Sequence, residues 1–128
     1  ITNDEKQALL GRRADGWNAG RLSLICGEPE AGEDMMAAVI REVKEESDLD
    51  FKLAELFREV TDTDSVRGEV WRVWYFWGIG QGEVQLKLDE ITETRWVSEG
   101  DLDDLDMIPG HREILREFFG GGKNAGTT

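Results

Sequence analysis

Three glutamates in this chain have a spacing that would let them act together. Glu42, Glu45 and Glu46 stand at positions i, i+3 and i+4, which places their carboxylates on one face of a helix. Two carboxylates about 5–6 Å apart repel each other by roughly 3 kcal/mol at an effective dielectric constant of about 20. A helix that holds them beside a cleft therefore needs a cation, and oxygen ligands suit Mg²⁺ or Mn²⁺. The alternative is an acidic helix face that is simply solvated.

The glutamates belong to a longer pattern that occupies residues 27–49. Its first glycine is followed by five residues and Glu33, and seven further residues lead to Arg41 and the first glutamate of the group. The pattern resembles the Nudix box, which has these residue types at these spacings and a glycine where this chain has Asp48. That position ends the helix in a left-handed conformation, which aspartate tolerates better than most residues. We therefore expect an intact helix end despite the substitution.

The resemblance implies a role for each set of residues. Those that would bind Mg²⁺, or Mn²⁺ as its substitute, are Cys26 (through its backbone carbonyl), Glu42, Glu45 and Glu46. Those that would take part in catalysis are Glu45, Glu46 and, before the last strand, Glu90, with Asp89 and Glu93 as alternatives to Glu90. Those that would support the motif are Gly27, Glu33 and Arg41, with Glu33 paired to Arg41.

Four further side chains are candidates for contact with the substrate, and each has a structural alternative. Arg12 and Arg13 end a predicted strand where an arginine of the family often faces the substrate phosphates, although a solvated strand end is an equal alternative. Trp17 would stack on a base or cap the core. His111, the only histidine, begins the last predicted helix near a region that lines the base pocket in some family members; a structural or exposed position is the alternative.

The overall charge and the cysteine content limit the classes of partner. The 128 residues carry a net charge of −13, which repels nucleic-acid polymers and anionic membrane surfaces. No apolar stretch approaches the roughly 18 residues of a membrane span, so we expect none. The single Cys26 excludes an internal disulfide and indicates a reducing, cytoplasmic compartment.

Local patterns predict the elements that would position these residues. We expect a β-hairpin over residues 1–13 with its turn at 3–6, and further strands over 21–26, 51–61, 69–78 and 92–97. We expect a first helix that begins at residues 32–34, a capped acidic turn or short helix over 98–105, and a last helix over 111–119. An apolar stripe should anchor the first helix in the core; its members are Met36, Val39, Ile40 and Val43. The strand over 69–78 is apolar on both faces, so we expect it to be covered on both sides.

This order of elements fits the α/β fold of the Nudix family, an α/β/α sandwich with a mixed β-sheet flanked by helices. Residues 1–119 would form one domain and residues 120–128 a flexible tail. The resemblance implies hydrolysis of a nucleoside diphosphate linked to another group, and the small size favours a (deoxy)nucleoside triphosphate, cleaved to a monophosphate and pyrophosphate. The alternatives are ADP-ribose or another nucleotide sugar or dinucleotide, and a Nudix-fold nucleotide-binding module without catalysis. The partner would be a small nucleotide, and the aromatic content permits a homodimer.

Overall fold

Five β-strands and two α-helices make up the part of the chain that the computed structural model describes, residues 1–16, 18–63, 68–86 and 91–122. The strands are β1 (Ala8–Arg13), β2 (Leu22–Ser23), β3 (Asp50–Thr63), β4 (Val70–Gln81) and β5 (Ile91–Val97). The helices are α1 (Met35–Ser47) and α2 (Pro109–Glu117), with a short 3-10 helix at Glu99–Asp104 and a wide helical turn at Phe118–Gly122. Residues 24–34, which we call the glycine loop, join β2 to α1 without helix or strand.

Two groups of antiparallel strands meet at Thr2. One has the order β2-β1-β5, and the other is the β3–β4 hairpin. Thr2 bridges Ala8 of β1 in antiparallel and Ile79 of β4 in parallel orientation, and its N–H donates to the carbonyl of Gly78 at 2.9 Å. The sheet is therefore mixed, as predicted, and the expected first hairpin is confirmed, with Thr2 as its first-strand residue and a turn at residues 3–6.

Strand β1 separates two apolar clusters, because alternate residues of a strand face opposite sides of the sheet. Leu9 packs with Val43 of α1 and with Leu49. On the other side of the sheet, Ala8 and Leu10 belong to a cluster with residues of the 3-10 helix, of the segment after it and of α2. This cluster comprises Ala8, Leu10, Leu22, Val97, Leu102, Leu105, Met107 and Leu115. The predicted sheet between helices is confirmed by this arrangement.

Helix α1 begins later, and buries a different face, than the sequence predicted. It starts at Met35, not at residues 32–34, because Gly32 has a left-handed φ of 78° and Glu33 accepts the N–H of Glu30 in the loop before the helix. The predicted apolar stripe is wrong in part: Met36 and Ile40 are 48% and 45% exposed. The buried residues of the helix are Ala38, Val43, Glu46 and Ser47. The helix is turned so that the small Ala38 and Ser47 reach the core in their place.

The prediction that β4 is covered on both sides is also wrong toward the hairpin turn. Near the middle of β3, Phe57 is buried and packs edge-on against Phe118. Closer to the turn, Val73 is exposed and Val70 is 64% exposed. The two strands are long enough to continue past the residues that pack on α2, so their apolar side chains near the turn lose that cover.

The remaining boundaries differ in smaller ways. Strand β2 has only two residues, whereas the sequence predicted a strand over 21–26, and α2 begins at Pro109, two residues early. The capped acidic helix is confirmed, since Ser98 and Asp101 form a capping box. Residues 120–122 of the predicted tail belong to the helical turn, and residues 123–128 lie outside the described residues. Within the described part of the chain, no helix is long and apolar enough to cross a membrane.

Candidate active site on the glycine loop and helix α1

Arg41 joins the glycine loop to α1 through a set of hydrogen bonds. Its Nε and Nη2 donate to the two carboxylate oxygens of Glu33 at 2.8 and 2.9 Å, and Nη2 also donates to the carbonyl of Glu28 at 3.1 Å. Its Nη1 donates to Glu42 at 3.0 Å and to Glu45 at 3.1 Å. The hydrogen bonds from Arg41 hold the pKa of Glu33 at about 2, and those to Glu33 raise the pKa of Arg41. The predicted pair of Glu33 and Arg41 is present, with a two-pronged geometry that arginine forms and lysine cannot.

Gly27 lies directly against Glu42, and a larger residue would require the Glu42 side chain or the loop to shift. A Cβ atom added to Gly27 would stand 2.2 Å from Cδ and 2.4 Å from Cγ of Glu42. Gly27 is not among the glycines with a positive φ, so close approach and not backbone conformation is what requires glycine here. The motif glycine therefore lets the loop backbone touch the first glutamate of the helix.

Cys26 lies among charged groups of the same site. Its Sγ donates to the carbonyl of Leu24 at 3.2 Å. Although Cys26 is an exposed residue, the pKa of its thiol is raised to about 11, first because neighbouring groups desolvate the thiolate and also because Glu46 and Glu42 repel it, while Arg13 acts in the opposite direction. A thiol that stays protonated at neutral pH is a poor nucleophile, which agrees with a role for the backbone of this residue.

The three glutamates of α1 differ in their surroundings. Glu46 is buried, the side chain of Glu42 is 19% exposed, and that of Glu45 is 48% exposed. Because an exposed ion pair contributes little free energy, the contact of Glu45 with Arg41 is easier to replace with another partner than the less exposed contact of Glu42 with Arg41.

No three His, Cys, Asp or Glu side chains among the described residues are arranged to hold one metal ion. In this arrangement the guanidinium of Arg41 contacts the carboxylates of both Glu42 and Glu45. The donor set nevertheless fits a hard divalent cation, because it consists of carboxylate oxygens at i, i+3 and i+4 beside a loop with a nearby backbone carbonyl. Glu45 has to exchange Arg41 for the ion in such a site.

The two candidate arginines of β1 make different contacts, and three other candidate residues lie outside the described part of the chain. Arg12 pairs with Glu93 at 2.6 Å and donates to the carbonyl of Gly20 at 2.8 Å, so it connects β1 to β5 and to the loop between β1 and β2. Arg13 instead acts electrostatically on the thiol of Cys26 and on the ring of His111. Three further predicted positions lie outside the described residues: Trp17, Asp89 and Glu90.

His111 is buried, with 7% of its surface exposed, and its Nδ1 accepts the N–H of Leu24 at 3.1 Å. Burial lowers the pKa of His111 to about 4, with a smaller contribution from Arg13. The ring also packs at 83° to that of Tyr75, with centroids 6.4 Å apart. This placement favours the structural alternative and gives no support to direct substrate contact by His111.

Two contacts of α1 were not predicted although the sequence carries a signal for each. Arg41 with Glu45, and Lys44 with Asp48, are both i, i+4 pairs, with distances of 3.1 and 3.3 Å. Asp48 has the expected left-handed conformation, with φ 63°, and its N–H donates to the carbonyl of Lys44 at 3.0 Å. The predicted intact helix end is confirmed.

Comparisons with known proteins agree with this geometry. The family model of the NUDIX domain matches residues 1–118. The chain is 24% identical to an RNA pyrophosphohydrolase of Novosphingobium aromaticivorans, over 91% of this chain and 84% of that protein. Its fold is similar to the crystal structure of a MutT NUDIX hydrolase from Burkholderia pseudomallei, with 27% identity, 85% of each chain covered and a TM-score of 0.72. A NUDIX hydrolase from Nitrosomonas europaea reaches a TM-score of 0.78 at 20% identity, over 95% of this chain and 86% of that one.

Proposed function

We propose a substrate and a role for each site residue from one premise: this chain belongs to the Nudix family of hydrolases. Nudix hydrolases act on pyrophosphate-bearing substrates and generally use divalent metal ions. The finer proposal is a Mg²⁺-dependent reaction in which water cleaves a (deoxy)nucleoside triphosphate to a nucleoside monophosphate and pyrophosphate. One observation carries it: the glycine loop touches α1 where the motif glutamates lie, with Gly27 seated on Glu42.

The metal ligands in this proposal are Glu42, Glu45, Glu46 and the backbone carbonyl of Cys26. A divalent ion bound there would offset the charge of the phosphate chain and make a water molecule more acidic. The net charge of −13 makes such an offset necessary, because a polyanionic substrate would otherwise be repelled.

The remaining roles follow from what each side chain contacts. Arg41 and Glu33 keep the glycine loop against α1, which holds Gly27 in contact with Glu42. Glu45, the most exposed motif glutamate, accepts the proton of the attacking water, with Glu46 and Glu90 as the other catalytic carboxylates. Arg13 supplies positive charge to the phosphates beside the loop.

The variant that tests these roles is Glu46→Gln, which removes one charge and keeps the size of the side chain. With Mg²⁺ and a panel of nucleoside and deoxynucleoside triphosphates, we expect the wild type to release pyrophosphate and the variant to be slower by about 10²–10⁴-fold. The matched control is Glu5→Gln in the exposed turn at residues 3–6, for which we expect the wild-type rate. Circular dichroism and urea unfolding would check that both variants are folded.

The same panel separates the alternatives. Hydrolysis of ADP-ribose or a dinucleotide without any triphosphate would reject the proposed substrate but keep the hydrolase. Nucleotide affinity without turnover, unchanged in Glu46→Gln, would identify a binding module instead. Loss of turnover on chelation with EDTA, restored by Mg²⁺ or Mn²⁺, is expected for the metal site; full activity in EDTA would reject it.

An RNA substrate is the second candidate, because the similar protein of N. aromaticivorans is named an RNA pyrophosphohydrolase. Internal RNA linkages are phosphodiesters, so a pyrophosphate bond would have to be at the end of the strand. The high negative charge of this chain disfavours a polyanionic polymer. Rates on a 5′-triphosphorylated oligonucleotide and on the free triphosphate, measured at equal concentration and at two salt concentrations, would decide between the two. The cytoplasmic location and a homodimer stay predictions.

A further inference from the structure

Residues 106–108 extend the sheet beyond β2 as a short parallel ladder. The N–H of Leu22 donates to the carbonyl of Asp106 at 2.9 Å, and the N–H of Ile108 donates to the carbonyl of Leu22 at 3.0 Å. Leu22 and Met107 form the parallel bridge between these bonds. In a parallel ladder, the next bond along β2 would run from the N–H of Leu24 to the carbonyl of Ile108.

That next backbone bond does not form, because the acceptor is in use. The carbonyl of Ile108 accepts the N–H groups of His111 and Arg112, both at 3.0 Å, as the first turn of α2. The chain has turned into the helix at Pro109, so no further backbone carbonyl continues the ladder. Nδ1 of His111 takes the N–H of Leu24 instead, at 3.1 Å, across 87 residues of sequence.

We propose that His111 is a positioning residue of the active site, whose ring continues the β2 ladder and thereby holds the glycine loop at Leu24. Leu24 is two residues before Cys26 and three before Gly27, which is in contact with Glu42. The proposal rests on the proposed function, because His111 would hold the backbone carbonyl of Cys26 close to the carboxylates of α1, so that both could bind one ion. The contact with Tyr75 restricts the ring, and burial keeps Nδ1 unprotonated at neutral pH.

Asparagine and leucine at position 111 form a matched pair for the test. They have the same branching and the same number of side-chain heavy atoms, and both lose the ring packing against Tyr75, but the larger and apolar leucine fills the buried space better than asparagine. Only His111→Asn carries an atom that accepts a hydrogen bond near the position of Nδ1. A role in packing alone therefore affects His111→Asn at least as much as His111→Leu, whereas a role as acceptor affects mainly His111→Leu.

The first measurement is binding of Mn²⁺ alone to the nucleotide-free protein, followed by electron paramagnetic resonance. We expect about tenfold weaker Mn²⁺ affinity in His111→Leu, by analogy with other residues that orient metal ligands, and near wild-type affinity in His111→Asn. We also expect a fall in kcat of similar size in His111→Leu at little-changed KM, because the loss concerns the reacting groups and not nucleotide affinity. Equal effects in the two variants, or none in either, would overturn the proposal.

The second measurement is amide hydrogen exchange in the wild type, which does not depend on any variant folding. Leu24 should exchange as slowly as Leu22, and its exchange should accelerate in His111→Leu but much less in His111→Asn. Exchange of the Leu24 amide at the rate of an open loop in the wild type would contradict the proposal. If the wild type hydrolyses no nucleotide, the proposed function fails while the exchange result still decides whether His111 holds the loop.

Discussion

The glycine loop with α1 and the β3–β4 hairpin are held in place by different kinds of contact. The first region depends on directional bonds to single atoms, above all the bonds from Arg41 to Glu33 and the fit of Gly27 against Glu42. The second depends on its backbone ladder and on aromatic packing that involves Phe118, which lies 5.6 Å from Trp77 between ring centroids.

The difference indicates where this protein tolerates change. A directional contact is lost when one atom moves, whereas apolar packing near an exposed strand end can adjust at little cost. We therefore expect substitutions in the first region to change chemistry strongly and similar substitutions near the hairpin turn to change little. Five predictions test that comparison, from the largest expected effect to the smallest.

Gly27→Ala should have the largest effect on activity. The added methyl group would overlap the carboxyl end of Glu42, so the loop or the glutamate has to shift by about 1 Å, and turnover should fall by about 100-fold. The control is Gly100→Ala, where no atom lies within 4 Å of the added group and activity should be unchanged. Steady-state kinetics with Mg²⁺ would measure both; equal activities would show that Glu42 is not needed at this position.

The stability of the protein should fall as the pH drops from about 6.5 to about 4. The pKa of His111 is about 4 in the folded state and about 6.5 when exposed, so the unfolded state binds more protons in this window. The stabilising contribution of neutral, buried His111 is fully present above pH 6.5. About 2–3 kcal/mol of unfolding free energy is lost from this contribution by pH 4. Urea unfolding across this window should show a weaker pH dependence in His111→Leu; identical curves would contradict the prediction.

Val43→Ala and Val73→Ala make the same change in the two regions. Val43 is buried between α1 and the sheet, so its truncation should lower the unfolding free energy by about 2 kcal/mol. Val73 is exposed near the hairpin turn, and its truncation should cost less than about 0.5 kcal/mol. Denaturant unfolding would measure both values, and a similar cost for Val73 would mean that another surface covers the hairpin.

Arg41→Lys and Arg58→Lys remove guanidinium groups that each contact a glutamate. Lysine cannot reproduce the paired bonds of Arg41 to Glu33, so Mn²⁺ affinity should fall by about tenfold. Arg58 of β3 makes a partly exposed pair with Glu117, and we expect no change in Mn²⁺ affinity when it is replaced. Equal affinities in the two variants would show that the glycine loop does not need the arginine geometry.

Asp48→Gly should have the smallest effect and should stabilise the protein. Asp48 has a φ of 63°, which glycine adopts without steric cost, so we expect a gain of about 0.5–1 kcal/mol, reduced by loss of the pair with Lys44. Turnover should stay the same, since the helix ends at the same residue. Thermal unfolding would measure the gain; a loss of stability would show that the contact with Lys44 outweighs the backbone cost.

The sequence by itself determined the identity of the motif and the grouping of its charged residues. The positions of Glu42, Glu45 and Glu46 on one helix follow from helical geometry, and the left-handed Asp48 follows from the helix end, because both depend only on neighbours within a few residues. The succession of strands and helices along the chain was also predicted, since alternation and turn residues are local signals.

Only the tertiary structure decided which surfaces these elements bury and which distant groups they meet. Met36 and Ile40 belong to an apolar stripe and yet are exposed, because the packing of α1 against the sheet selects a neighbouring face. The bond from Leu24 to His111 joins residues 87 positions apart, and it forms because α2 uses the carbonyl that would otherwise continue the ladder. Such contacts depend on where two elements meet in space, and no local pattern of residues carries that information.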